Sequence, residues 1–224
     1  MPQPLHTTAL QTIEVETGAQ PDACVIWLHG LGADGHDFEP IAADLAGARA
    51  LRFVFPHAPV RPVTINGGAS TRAWYDILGL DRDAAQDEPG VRASDAGIRE
   101  LIAQQIERGI GSERIVLGGF SQGGAMAVYC GVRYAHRLAA MVGLSCYLLL
   151  PGSLEGEASA VNRTTPILLA HGAYDPMIDV HVGQRSCELL RAAGYGVQWH
   201  RYGMGHEVCA EEIAAIAAFL QQVL

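Results

Sequence analysis

The sequence predicts a doubly wound α/β domain with a mostly parallel central sheet and helices on both faces. Short β-like runs alternate with helical segments, and the runs are apolar almost throughout rather than at every second residue. A chain of 224 residues also fits one such domain, residues 1–224, with room for a substantial core.

The runs come in order as Cys24–Leu28, Leu51–Phe55, Arg114–Leu117, Ala139–Leu144, Pro166–Ala170 and Val197–Arg201. The clearest helix between them is Ser94–Arg108, with Ile98, Leu101, Ile102 and Ile106 on one face and Gly109 as its stop. Gln122–Tyr129 reads as a second helix, and a third begins near Val180. The last, Glu207–Leu224, sets Ile213, Ile216, Phe219, Leu220 and Val223 in one stripe. The polar stretch Asp81–Gly90 is a short surface excursion, and no internal repeat, low-complexity tract or linker interrupts the pattern.

Composition narrows the function. Hydrophobic residues make up 49% and charged residues 17%, an ordinary globule without a disorder signature. Net charge is −9 with no arginine cluster, which argues against nucleic acid or an anionic membrane as partner. All 15 basic residues other than histidine are arginine, so Schiff-base, pyridoxal-phosphate and P-loop lysine chemistry are excluded. No run is long enough to span a bilayer, and Met1–His6 lacks the basic start and apolar stretch of a secretory signal, which predicts a cytoplasmic protein. Cys24, Cys130, Cys146, Cys187 and Cys209 are odd in number and scattered, unlike a disulfide framework or zinc knuckle, and most are expected to be buried.

Chemistry concentrates at Gly119-Phe120-Ser121-Gln122-Gly123, a serine between glycines at a strand-to-helix junction. Such an elbow strains the serine backbone, needs neighbours without side chains, and holds the hydroxyl at the positive end of the helix. A serine hydroxyl needs an imidazole to take its proton and a carboxylate to orient that imidazole. Asp175 follows the fifth run in a loop at the required end of the sheet. Asp179 is the rival, though its better reading is the N-cap of the helix near Val180. His206 arrives in the Gly-rich loop after the sixth run, whereas His200 lies within that run and His181 within a helix. The order Ser121, Asp175, His206 is that of α/β-hydrolases.

The oxyanion of an attacked carbonyl needs two donors, assigned to the N–H of Gln122 and, from the glycine loop His29–His36, the N–H of Leu31. His29, His36 and His57 have no metal-ligand spacing, so loop hydrogen bonding is their expected job and no metal is expected. Arg72–Leu78 is bulky and amphipathic. Trp74 there either lines an acyl pocket or anchors a surface loop on the core.

With these residues assembled, the chain resembles the phospholipase/carboxylesterase family, which includes small bacterial carboxylesterases and the acyl-protein thioesterases. The resemblance runs from Cys24 to the C-terminus. It rests on His29-Gly30-Leu31-Gly32, Phe55-Pro56-His57-Ala58-Pro59, Trp74-Tyr75-Asp76, Gly118–Gly124, His171-Gly172 with Asp175, and Gly205-His206. It implies the triad Ser121, Asp175 and His206, an oxyanion hole at Leu31 and Gln122, and a substrate rim around Trp74, with Leu78 and Met177 beside it. It further implies no cofactor and, by family habit, a homodimer. Two departures bear on acyl-chain preference: Asp179 stands where the family's Val-Pro-like pair would put proline, and Gly68–Arg72 is smaller and more polar than the family's approach to that tryptophan.

The expected activity is hydrolysis of small-molecule carboxylic esters, short-chain ones first, through an acyl-enzyme. The alternatives are thioester hydrolysis of S-acylated proteins or lysophospholipid cleavage on longer acyl chains. From another class comes a non-catalytic binding module on the same scaffold, which would be expected to have lost a triad residue.

Overall fold

The computed structural model describes residues 9–79 and 85–224; Met1–His6 and residues 81–84 of the polar stretch lie outside the described residues. Among the described residues seven strands form one sheet in the order β1-β3-β2-β6-β7-β8-β9. The strands are β1 (Thr12–Glu16), β2 (Ala23–Leu28), β3 (Leu51–Pro56), β6 (Ile115–Phe120), β7 (Ala140–Leu144), β8 (Ile167–Gly172) and β9 (Val197–Tyr202). All six expected strands are there, and they pair in parallel. A separate hairpin pairs β4 (Val60–Val63) with β5 (Ala69–Arg72).

Burial on both faces explains the apolar runs. In β2, Cys24, Ile26 and Leu28 face one core with α2 (Glu88–Glu107), α3 (Gln122–Arg133) and α5 (Val180–Ala192). Ala23, Val25 and Trp27 face the other, under α1 (Ala42–Ala46) and α6 (Ala210–Val223). A short α4 (Leu154–Glu157) lies before β8.

Strand order reverses direction at β2, whose neighbours are β3 on one side and β6 on the other. Loops leaving the carboxyl ends of β2 and β6 therefore meet over a crevice, the usual ligand position in open α/β sheets. Leu28, the last residue of β2, pairs with Gly119 of β6, which brings the His29–His36 loop beside Ser121.

Three expectations are corrected. α2 starts at Glu88 rather than Ser94, because the Asp87 carboxylate accepts the Gly90 N–H and Pro89 suits a first turn, so the end of the polar stretch is helix. Ile106 is 38% exposed, and the buried position beside it is Gln105, whose Oε1 accepts from the Arg52 guanidinium. α6 starts at Ala210, which leaves Glu207 in the preceding loop. β1 is an addition: its Thr-Ile-Glu-Val-Glu sequence covers only one face, as an antiparallel edge strand needs.

Candidate active site

The elbow is built as its glycines require. Ser121 sits between β6 and α3 at φ 53° and ψ −121°, a conformation that costs a serine roughly 1–3 kcal/mol. Its N–H donates to Leu144 O at 2.8 Å and its carbonyl accepts from Ala125 N at 3.0 Å, which ties the strained residue to β7 and to the first turn of α3. Backbone passes directly against backbone here. A Cβ on Gly119 would lie 2.5 Å from the Gly123 carbonyl carbon, and one on Gly123 would lie 2.1 Å from Leu28 O.

His206 reaches this serine from the loop between β9 and α6. Its Nε2 lies 2.9 Å from Ser121 Oγ and its Nδ1 lies 2.7 Å from Asp175 Oδ2. With an ionised carboxylate only one tautomer satisfies both contacts: Nδ1–H donates to Asp175 and Nε2 accepts the serine proton. The loop is laid on bare chain, since a Cβ on Gly172 at the end of β8 would lie 2.1 Å from Gly205 O. The Phe120 ring, with its centroid 4.7 Å from that of His206, covers the imidazole.

The Asp175 side chain is fully buried, and its Oδ1 accepts the N–H groups of Met177 at 2.8 Å and Ile178 at 2.9 Å. Burial works to raise its pKa, but the Ile178 N–H, the His206 ring and the Met177 N–H outweigh it and hold the carboxyl below the usual range. The rival, Asp179, caps α5 by accepting the His181 N–H and takes no part in this chain.

Opposite His206 runs the loop after β2. A Cβ on Gly30 would come 3.5 Å from that of Ser121, and Gly32 takes φ +80° while its N–H donates to Arg72 O. Among the described residues neither the Leu31 N–H nor the Gln122 N–H donates to a backbone carbonyl. The loop is held by side chains. His29 accepts the Ala58 N–H at Nε2 and donates Nδ1–H to Gly30 O, and burial keeps its pKa low, hence the ring neutral. His57 Nδ1 accepts the Gly35 N–H, and His36 pairs with Glu39. Among the described residues no group of three or more His, Cys, Asp or Glu gathers as a metal site.

Trp74 takes the second of its two expected readings, the loop anchor, and not a place on an open substrate rim. It is 0% exposed, its indole N–H donates to His29 O at 2.9 Å, and its backbone N–H donates to Gln122 Oε1 at 2.8 Å. The ring therefore anchors the loop on the core and holds the Gly30–Leu31 turn from below. Leu78 and Met177 are exposed, at 45% and 70%. Met177 stands two residues beyond Asp175, with its backbone N–H on that carboxylate. Sequence reasoning missed the Gln122 side chain, which clamps Trp74 N–H and Tyr75 O at once, although its place inside the elbow was a signal.

A serine, histidine and aspartate hydrogen-bonded in series at the carboxyl edge of a mostly parallel sheet define an α/β-hydrolase. The chain belongs to the phospholipase/carboxylesterase family, whose model matches residues 10–224. It is 39% identical over 217 residues to acyl-protein thioesterase 1 of Neurospora crassa, covering 92% of this chain and 89% of that one. The Cryptococcus neoformans protein of the same name is 34% identical, at 97% and 99% coverage. Among solved structures, Zea mays acyl-protein thioesterase 2 superposes with a TM-score of 0.86 at 32% identity, over 95% of this chain and 98% of that one. Arabidopsis thaliana SOBER1 gives 0.85 at 30% identity, over 89% and 98%. The protein is thus a hydrolase of this family.

Proposed function

We propose that the protein hydrolyses acyl thioesters and related carboxylic esters through an acyl-enzyme on Ser121. The observation that carries this reading is the hydrogen-bonded series of Ser121 Oγ, His206 Nε2, His206 Nδ1 and Asp175 Oδ2 at 2.9 and 2.7 Å. As Ser121 Oγ attacks the acyl carbonyl, its proton passes to His206 Nε2, and Asp175 stabilises the imidazolium and fixes its tautomer. The carbonyl oxygen becomes an oxyanion between the N–H groups of Leu31 and Gln122, at the N-terminus of α3. The imidazolium then protonates the leaving thiolate or alkoxide. Water then attacks the acyl carbon as one of its protons passes to His206, and the imidazolium returns that proton to Ser121 Oγ as the acyl–Oγ bond breaks and the acid leaves.

The relatives' names favour a thioester over the short-chain oxygen ester as the main substrate. The exposed Met177, whose N–H rests on Asp175, offers apolar surface for an acyl chain beside the triad. No described helix is long and apolar enough to cross a membrane. All five cysteines are free thiols, which supports action in a reducing compartment such as the cytoplasm.

Labelling with a fluorophosphonate, mapped by peptide mass spectrometry, tests the nucleophile: Ser121 is the expected site, and a folded native protein left unlabelled sinks the enzyme reading. Ser121→Ala should lose turnover while melting as a folded protein. Measuring kcat/KM against acyl length, for oxygen esters and thioesters in parallel, tests the substrate class. A preference for short oxygen esters over every thioester would restore the simple carboxylesterase.

A further inference from the structure

His171, near the end of β8, is 0% exposed and takes no part in the hydrogen-bonded series of Ser121, His206 and Asp175. Its Nε2 lies 2.8 Å from Ile178 O, and among the described residues its Nδ1 is buried without a hydrogen-bond partner. A carbonyl can only accept, so the ring proton resides on Nε2 and is donated to Ile178. The bare Nδ1 edge lies against α5, where a Cβ on Gly183 would come within 2.3 Å of it. One side of the ring is thus seated on a helix without a side chain, and the other holds the turn after Asp175.

That turn closes a loop of contacts. Ile178 N–H donates to Asp175 Oδ1, Ile178 O receives the His171 proton, and His171 Nε2 also faces Asp175 Oδ2 at 3.4 Å. Asp175 Oδ2 is the same oxygen that receives His206 Nδ1–H at 2.7 Å. The N–H of a neutral His171 is committed to Ile178 O, so the ring fixes the turn that carries Asp175 and stands beside the shared oxygen.

Resting on the proposed hydrolase mechanism, we propose that His171 is a positioning residue that sets the direction of Asp175 toward His206 through the 175–178 turn. Without it, the turn loses the donor on Ile178 O and Asp175 no longer points steadily at the imidazole. A misplacement near 1 Å at such a group costs about 100-fold in rate. A carboxylate that points less steadily at the imidazole holds the imidazolium less strongly, and the acid limb of the rate profile moves to lower pH.

The test compares the native protein with His171→Leu, His171→Gln and Gly183→Ala, reading kcat, KM and the pH profile of kcat/KM on a p-nitrophenyl ester. His171→Leu should lose about 10- to 100-fold in kcat at nearly constant KM, with its acid limb at lower pH. His171→Gln can place an amide N–H near the Nε2 position and should recover most of the rate. Gly183→Ala keeps every donor but pushes the ring, and should lower kcat in the same direction, which decides the matter if His171→Leu does not fold. Native kcat and pH profile in His171→Leu, no recovery in His171→Gln, or a native rate in Gly183→Ala would each overturn the role of His171. Absence of turnover and of Ser121 labelling in the native protein would overturn the hydrolase mechanism instead.

Discussion

Glu212 is the most exacting physical test in the molecule. It occupies the first turn of α6 at 0% exposure, and neither carboxyl oxygen has a hydrogen-bond partner among the described residues. A helix N-terminus returns only ~0.3–1 kcal/mol to a negative charge, much less than the cost of drying a carboxylate. Burial therefore wins and pushes the carboxyl up to about 8. In the unfolded chain it titrates near its usual 4.5. Below that value both states are protonated and the contribution to stability is complete. As pH rises toward 8 the unfolded state ionises while the folded state holds its proton, so stability falls by at most ~1.4 kcal/mol per pH unit. Between pH 5 and 8 the loss is roughly 3 kcal/mol. Glu212→Gln is neutral throughout and matches the protonated acid in shape. Urea midpoints, at unchanged m, should put the variant close to the native protein at pH 5 and well above it at pH 8. Every other titratable side chain is common to both proteins, so the difference between them reports this carboxyl. A stability difference that stays constant from pH 5 to pH 8 would refute the reasoning.

Two further substitutions probe the site's scaffold. Gly123→Ala drives a methyl group against Leu28 O, which belongs to the backbone and cannot swing away; it should cost about 1–3 kcal/mol in a denaturant melt and about 100-fold in ester turnover. Trp74→Phe removes the donor to His29 O and leaves that carbonyl unpaired, at a cost of ~1–3 kcal/mol. Because the ring is buried beneath the Gly30–Leu31 turn, kcat should fall with little change in KM. A rise in KM alone would return Trp74 to the substrate surface.

The parallel strands were legible because each is buried on both faces and reads as an unbroken apolar run. β1 was not, since an edge strand covered on one side mixes Glu14 and Glu16 with Ile13 and Val15 and resembles a polar loop. Ser121, Asp175 and His206 could be picked out because each follows a strand at the sheet's carboxyl edge. Capping chemistry then set Asp179 apart. Trp74 stayed open between a substrate rim and a loop anchor because the sequence places an aromatic in a loop without saying which way it faces. His171 was quoted as part of a pattern but given no role, because its partner is a backbone carbonyl seven residues away. Glu212 was legible in principle: it falls on the same helical stripe as Ile216, Phe219 and Leu220, where a carboxylate is out of place.

The glycine crossings at the site have a consequence for how damage spreads. Gly119 lies on Gly123, Gly123 on the carbonyl of Leu28, and Gly172 on that of Gly205, so the spacing of the reacting groups is set by the thickness of peptide planes. The side chains that also hold it, His29, Trp74, Gln122 and His171, all belong to the site's own loops and elbow or to the end of β8. A cavity opened beneath α1, as in Leu45→Ala, should then lower the fraction of molecules that are folded while each folded molecule turns over at the native rate. The reaction centre is insulated from a softening of the core beneath α1, and that layer can accumulate changes without retuning the chemistry.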